Sequence, residues 1–158
     1  MATEAPVAID DLVAKVRTRL HVKTAPITVE VERGTMLRYA RDTGETNPIF
    51  FDDAYAKTTK LGGIIAPPTF ISWFLKGIVP DQVFDFDLPL KTVLHTDDVV
   101  ENGDYIRPGD HITAVGELTD VFVRQGRNGP MLFETGDVTC TNQHGRFVGM
   151  VRTISVLF

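Results

Sequence analysis

Ile64-Ile65-Ala66-Pro67-Pro68-Thr69-Phe70-Ile71-Ser72-Trp73-Phe74-Leu75-Lys76-Gly77-Ile78-Val79-Pro80 is the stretch that decides the fold. Two prolines open an apolar run. Proline suits a first helical turn, where its missing N–H would have no intrahelical partner anyway. Gly77 and Pro80 close the run. It is apolar on nearly every face, which predicts a helix buried all round rather than one lying on a surface. It is too short to cross a bilayer. Such a helix needs a wrapping, and the rest of the chain supplies one.

Downstream of Pro89 the pattern has period two. Leu90–Val100, His111–Val123, Met131–Thr141 and Arg146–Leu157 read as strands, parted by Asn102-Gly103, Pro108-Gly109, the glycines at 126 and 129, and His144-Gly145. Upstream, Ile27-Thr28-Val29-Glu30-Val31 alternates, is rich in β-branched residues and makes a fifth strand. No helical pattern lies between the last four strands, so the sheet is expected to be mostly antiparallel. One apolar helix and one curved five-stranded antiparallel sheet predict an α+β fold with the sheet wrapped around the helix, a hot-dog arrangement. An antiparallel barrel is the alternative, but it has no place for so apolar a helix.

The remaining elements are helical. Ile9 to Leu20 is amphipathic, with Asp10 or Asp11 as cap and Leu12, Val13, Val16 and Leu20 on one face. Thr35 to Asp42 is helix-like, Gly44 is a plausible stop, and a short helix is expected around Asp52 to Thr59. This divides the chain into an N-terminal helical arm, residues 1–24, and a single hot-dog domain, residues 25–158.

Composition narrows the function. The 158 residues make one domain, long enough to bury a core without disulfides or metal. The net charge of −5 argues against nucleic acid or an anionic membrane as main partner. Cys140 is alone, which excludes an internal disulfide and a Cys-rich zinc site. No His spacing suggests a metal, and no cofactor is expected. The N-terminal MATEAPVAIDD lacks a signal pattern, so a cytoplasmic location is expected.

Chemistry concentrates in Tyr39-Ala40-Arg41-Asp42-Thr43-Gly44-Glu45-Thr46-Asn47-Pro48-Ile49-Phe50-Phe51-Asp52. On its own Asn47-Pro48 is a turn initiator. The whole segment resembles the signature of the MaoC-like dehydratases, the (R)-specific enoyl-CoA hydratase 2 family: an aromatic, a spacer, then Gly-Asp-x-Asn-Pro-Leu/Ile-His-x-Asp. The resemblance continues through Ala54-Tyr55-Ala56, Gly62 to Thr69, and Tyr105-Ile106-Arg107-Pro108-Gly109-Asp110. Ala66-Pro67-Pro68-Thr69-Phe70 looks like the fungal-fatty-acid-synthase-like (FAS1-like) N-terminal dehydratase branch. Non-catalytic subunits of mycobacterial (3R)-hydroxyacyl-ACP dehydratases are similar.

The resemblance implies a hot dog that pairs with a second one and adds or removes water across the 2,3-double bond of an acyl thioester. In that family an Asp and a His hold the water, and a backbone N–H at the start of the central helix polarises the thioester carbonyl. Here the Asp position is Glu45, one methylene longer, and a shift of about 1 Å can cost on the order of a hundredfold. The His position is Phe50, which carries no proton. Pro68 stands where the N–H donor is expected and has none. Thr69, through its N–H or hydroxyl, is the candidate substitute.

These departures predict a substrate-binding, catalytically degenerate subunit of an enoyl-CoA or enoyl-ACP hydratase. Its partner would be a MaoC-like subunit carrying the Asp/His pair. Tyr39, Asn47, Pro48, Phe50, Pro68, Thr69 and Trp73 are the candidate substrate-binding residues, with Phe51, Phe70 and Phe74 as further apolar lining. Arg38, Arg41, Lys57 and Lys60 are the candidate cations for CoA phosphates. Two other readings stay open. The chain is a self-sufficient homodimeric hydratase using Glu45, with His95 or a partner residue as the second group. Or it is an acyl-CoA-binding or thioesterase-type hot dog, although a thioesterase needs a carboxylate on the central helix and Thr69 to Val79 has none. Of the other histidines, His21 suits a helix end, His111 opens a strand and His144 sits in a turn. Cys140 is expected to pack as a small hydrophobe.

Overall fold

A computed structural model describes residues 9–76 and 92–158. Residues 1–8 of the arm, the stops Gly77 and Pro80, and the strand start at Leu90 lie outside the described residues.

The alternating segments form strands: β1 (Ile27–Glu30), β2 (Val93–Asn102), β3 (His111–Gly126), β4 (Gly129–Thr141) and β5 (Phe147–Leu157). They make one antiparallel sheet in the order β1-β3-β4-β5-β2, so β1 and β2 are its edges. The β3–β4 hairpin runs further than the alternation suggests. Gly126 pairs with Gly129, leaving Arg127 and Asn128 as the whole turn. The register sorts the faces. Ile112, Ala114, Cys140 and Val151 share the side that packs on the central helix.

Four helices are described: α1 (Ile9–Arg17), α2 (Arg33–Asp42), α3 (Asp53–Thr58) and α4 (Phe70–Lys76). α4 is the central helix, and it starts two residues after the prolines. Phe70, Ile71, Phe74 and Leu75 pack against the sheet, with Met36 of α2. Phe70 is 0% exposed, and burying a side chain of that size contributes roughly 3 kcal/mol. The expectation of burial on every face is corrected. Trp73 is 47% exposed, and Thr69, one turn earlier, is exposed too. The reason is geometric: one sheet covers one side of a helix, and in this chain the Thr69–Trp73 side is left uncovered.

Two smaller clusters complete the core. Val13 and Val16 of α1 pack on Leu118, Val121, Leu132 and Leu157. Ile49, Ala56, Ile64 and Ile65 form the third, with Leu37, Phe50 and Leu61 against it.

Candidate functional site

Residues 44–52 fold as a series of local caps. Gly44 ends α2 with φ 75°, a left-handed value that costs glycine little. The Glu45 N–H then donates to Ala40 O at 2.9 Å. Asn47 Oδ1 accepts from the Ile49 N–H at 3.0 Å, and Pro48 opens a single 3-10 turn, Pro48–Phe50. Asp52 Oδ1 accepts from the Ala54 and Tyr55 N–H groups at 2.8 and 3.0 Å and caps α3. Asn47 and Pro48 therefore shape the turn that delivers Phe50.

Phe50, half-buried, and Pro68 are walls of a cavity of about 150 Å³. Ile49, Ile65, Ala66, Pro67, Val148 and residues 102–106 complete it. The lining is mainly apolar. At the helix start the Phe70 N–H already donates to Pro67 O at 2.9 Å. Neither proline has an N–H, so Thr69 is left as the residue able to present one. Its hydroxyl oxygen accepts from Tyr39 OH at 2.9 Å, which leaves the Thr69 proton to be donated elsewhere. Tyr39 packs edge-on against Phe70 (centroids 5.4 Å) and tilted against Trp73 (5.2 Å).

The sequence-predicted residues thus fall into groups. Phe50 and Pro68 share the cavity. Tyr39, Thr69 and Trp73 form a second group around the start of α4, and Phe70 and Phe74 stack beneath them at 5.2 Å. Glu45 is half-buried and is not among the cavity walls. Arg38, Arg41, Lys57 and Lys60 are all exposed. Of the walls contributed by residues 102–106, Tyr105 and Ile106 fall in a stretch that carries the family resemblance, but none of the five is a candidate site residue in the sequence. Asn102-Gly103 reads only as a turn, and nothing local marks that this turn returns to the helix start.

His95 belongs elsewhere. A bulge in β2 between His95 and Asp97 puts His95 and Asp98 on one face of the sheet. His95 Nε2 lies 2.9 Å from Asp98 Oδ1. Asp98 also accepts from Ser72 Oγ (2.7 Å) and Thr153 Oγ1 (2.9 Å) and pairs with Lys76 Nζ at 3.0 Å. Burial pushes the Asp98 carboxyl up, but its hydrogen bonds from Ser72, Lys76 and Thr153 and the His95 charge outweigh this and hold it below its ordinary range. The cluster ties α4 to β2 and β5. His95 is not a wall of the Phe50 cavity.

His111 opens β3 and is exposed, and His144 is exposed in its turn. His21 lies beyond the end of α1, 3.9 Å from a Glu117 oxygen. Cys140 is fully buried, and burial pushes its thiol up to about 12. Among the described residues no cluster of His, Cys, Asp and Glu has the size to hold a metal ion. No described helix is long and apolar enough to cross a membrane.

The family described as "FAS1-like, dehydratase domain region" matches residues 20–151. A curated relative, the 3-oxo-4,17-pregnadiene-20-carboxyl-CoA hydratase alpha subunit of Mycobacterium tuberculosis, is 28% identical over 149 residues, 86% of this chain. The chain spans only 45% of that relative's length. Two solved structures share the fold. One is a chain of the C-terminally truncated HadBC (3R-hydroxyacyl-ACP dehydratase) complex from Mycobacterium tuberculosis (TM-score 0.71, 20% identity, 87% of this chain and 98% of that one). The other is a MaoC-like dehydratase (TM-score 0.76, 24% identity, 90% of this chain and 43% of that one).

Proposed function

On the premise that this chain belongs to the family of FAS1-like dehydratase domains, we propose that it is the substrate-binding, catalytically degenerate protomer of a heteromeric, cytoplasmic enoyl-thioester hydratase. A MaoC-like partner supplies the Asp/His pair, and the substrate is an acyl-CoA or acyl-ACP thioester. The observation that carries this reading is the cavity shared by Phe50 and Pro68. At one position an apolar ring stands where the family has its proton carrier, and at the other a tertiary amide nitrogen stands where the family has its N–H donor. An apolar cavity favours an acyl group and gives no purchase to a catalytic water.

Two further features support a partner. β2 is an edge strand with Val93 (59%), Leu94 (50%) and Val99 (56%) exposed, and unpaired edges of that composition are normally covered. Trp73 lies open on the uncovered side of α4. The HadBC structure is of a complex, and the curated relative is named as an alpha subunit. A self-sufficient enzyme would need Glu45 at the cavity, whose walls do not include it.

The test is hydration of a short enoyl-CoA by the chain alone, by a co-expressed MaoC-like protein with an intact Asp/His motif, and by the two purified together. Activity only in the complex, and a stable one-to-one assembly, is expected. Full activity of the chain alone would overturn the assignment.

A further inference from the structure

Glu134 of β4 is 1% exposed, and among the described residues neither of its carboxylate oxygens has a hydrogen-bond partner. Water is excluded and nothing replaces it, so the charged form is strongly disfavoured in place. Burial accordingly pushes this carboxyl from 4.5 up to about 7.

The register shows what surrounds it. Glu134 pairs with Val121 on β3 and Ser155 on β5, and Ser155 pairs in turn with His95 on β2. Leu132 and Leu157 pair in the adjacent row on one side, and Leu118 faces Gly136 in the row on the other. Val121, Leu132, Leu157 and Leu118 are the side chains on which Val13 and Val16 of α1 sit. α1 therefore lies over the patch that contains Glu134.

The chain turns sharply after α1. His21 takes φ 61°, left-handed and unusual for a side chain of its size. Its N–H donates to Leu118 O at 2.8 Å, and the Thr24 N–H donates to Gly116 O at 2.8 Å. This pins residues 20–24 to β3 independently of the helix.

Other charges near this patch face away or are engaged. Asp10, Asp11, Lys15 and Arg17 lie on the exposed side of α1. On β3, Asp120 is exposed and accepts from the Val121 N–H, and Glu117 lies beside His21. On β4 and β5, Asp137 and Arg152 bind each other on the opposite face. On β2, His95 is held by Asp98, which also engages Lys76 of α4.

We propose that α1 is a proton-controlled latch. With Glu134 protonated the helix is closed over this end of the sheet. When Glu134 gives its proton to solvent, the helix swings out about residues 20–24 and the carboxylate reaches water.

Hydrogen exchange of peptides covering residues 9–17, corrected for the intrinsic pH dependence of exchange, tests it on the full chain. Between pH 6 and pH 8 protection of α1 is expected to fall about tenfold in the wild type, as linkage requires of a carboxyl shifted this far. Glu134→Gln keeps the shape without the ionisation, and its α1 protection is expected to stay constant. The same pH dependence in both proteins would overturn the latch. Should the variant not fold, carbon-13 titration of the wild-type Glu134 carboxyl decides. Titration near pH 7 together with the α1 amides supports the latch, and titration in the ordinary carboxyl range sinks it.

Discussion

Phe50 and Pro68 are walls of one cavity, although Phe50 ends the 3-10 turn and Pro68 lies just before α4, eighteen residues on. Losing a proton carrier alone would leave an N–H donor aimed at an unreactive site. On the reading proposed above both groups are missing from this cavity, which is mainly apolar, with Asn102 and Asp104 among its walls. On that reading the pocket serves apolar contact with the acyl group.

Phe50→His therefore does not restore a catalyst, because Pro68 still offers no N–H and Glu45 is not at the cavity. Its expected effect in the assembled complex is a KM for an apolar enoyl thioester raised about tenfold with kcat unchanged, the result of placing a polar ring in an apolar wall. Steady-state kinetics with a single enoyl-CoA checks it. A rise in kcat would show that Phe50 had blocked a working site.

Much of the fold is legible because period two and an all-apolar run are strong signals. Alternation marks strands at 27–31, 111–123, 131–141 and 146–157, and the observed strands depart from these only at their ends, most at the β3–β4 turn. What escapes is anything that depends on what covers a surface. Trp73 belongs to an apolar run, yet nothing in the sequence says that the sheet reaches only one side of it. The bulge in β2 is equally silent. One extra residue reverses the parity and brings His95 and Asp98 onto one face. Glu134 was legible in principle. It shares strand parity with Leu132 and Cys140, both buried, and that is the signal that would have found it.

Asp98 makes a testable contribution to stability. Its side chain is 16% exposed and holds Ser72, Thr153 and His95, whereas Lys76 at 58% exposure adds little through a screened pair. Asp98→Asn keeps the shape but loses the charge, and it should destabilise by roughly 2 kcal/mol at pH 7. The folded carboxyl lies below its ordinary value of 3.8, so its stabilisation is present above that pH and is lost as pH falls through the folded value. Urea denaturation of both proteins should show a gap at pH 7 that closes in acid. A gap independent of pH would mean that the charge contributes nothing.

The Tyr39–Thr69 hydrogen bond contributes little to stability. Thr69 is exposed and Tyr39 is partly so, so Tyr39→Phe should cost less than about 1 kcal/mol. If the Thr69 hydroxyl polarises the thioester carbonyl, with Tyr39 donating to it, the same change lowers kcat of the complex about tenfold with KM nearly unchanged. Thermal unfolding and steady-state kinetics on one preparation separate the two effects. Unchanged kcat would leave Tyr39 as packing for Trp73 alone.

Gly149 of β5 is required by close approach rather than by backbone angle. A Cβ there would stand 2.8 Å from Glu101 O of β2 and 2.8 Å from Ile71 Cδ1 of α4. The isoleucine methyl can turn aside, but the carbonyl is fixed by the β2–β5 ladder, where Asn102 pairs with Gly149. Gly149→Ala is expected to cost about 1–3 kcal/mol by pushing the edge strand away from the helix. It should also displace the cavity wall at residues 102–106, because that segment continues from β2. Gly34 of α2 is the control. Among the described residues nothing lies within 4 Å of its missing Cβ, so Gly34→Ala should stabilise by roughly 0.5–1 kcal/mol through helix propensity. Urea denaturation of the two variants should move in opposite directions. A harmless Gly149→Ala would mean that β2 is free to yield, and that the wall it carries is no more fixed than the edge it comes from.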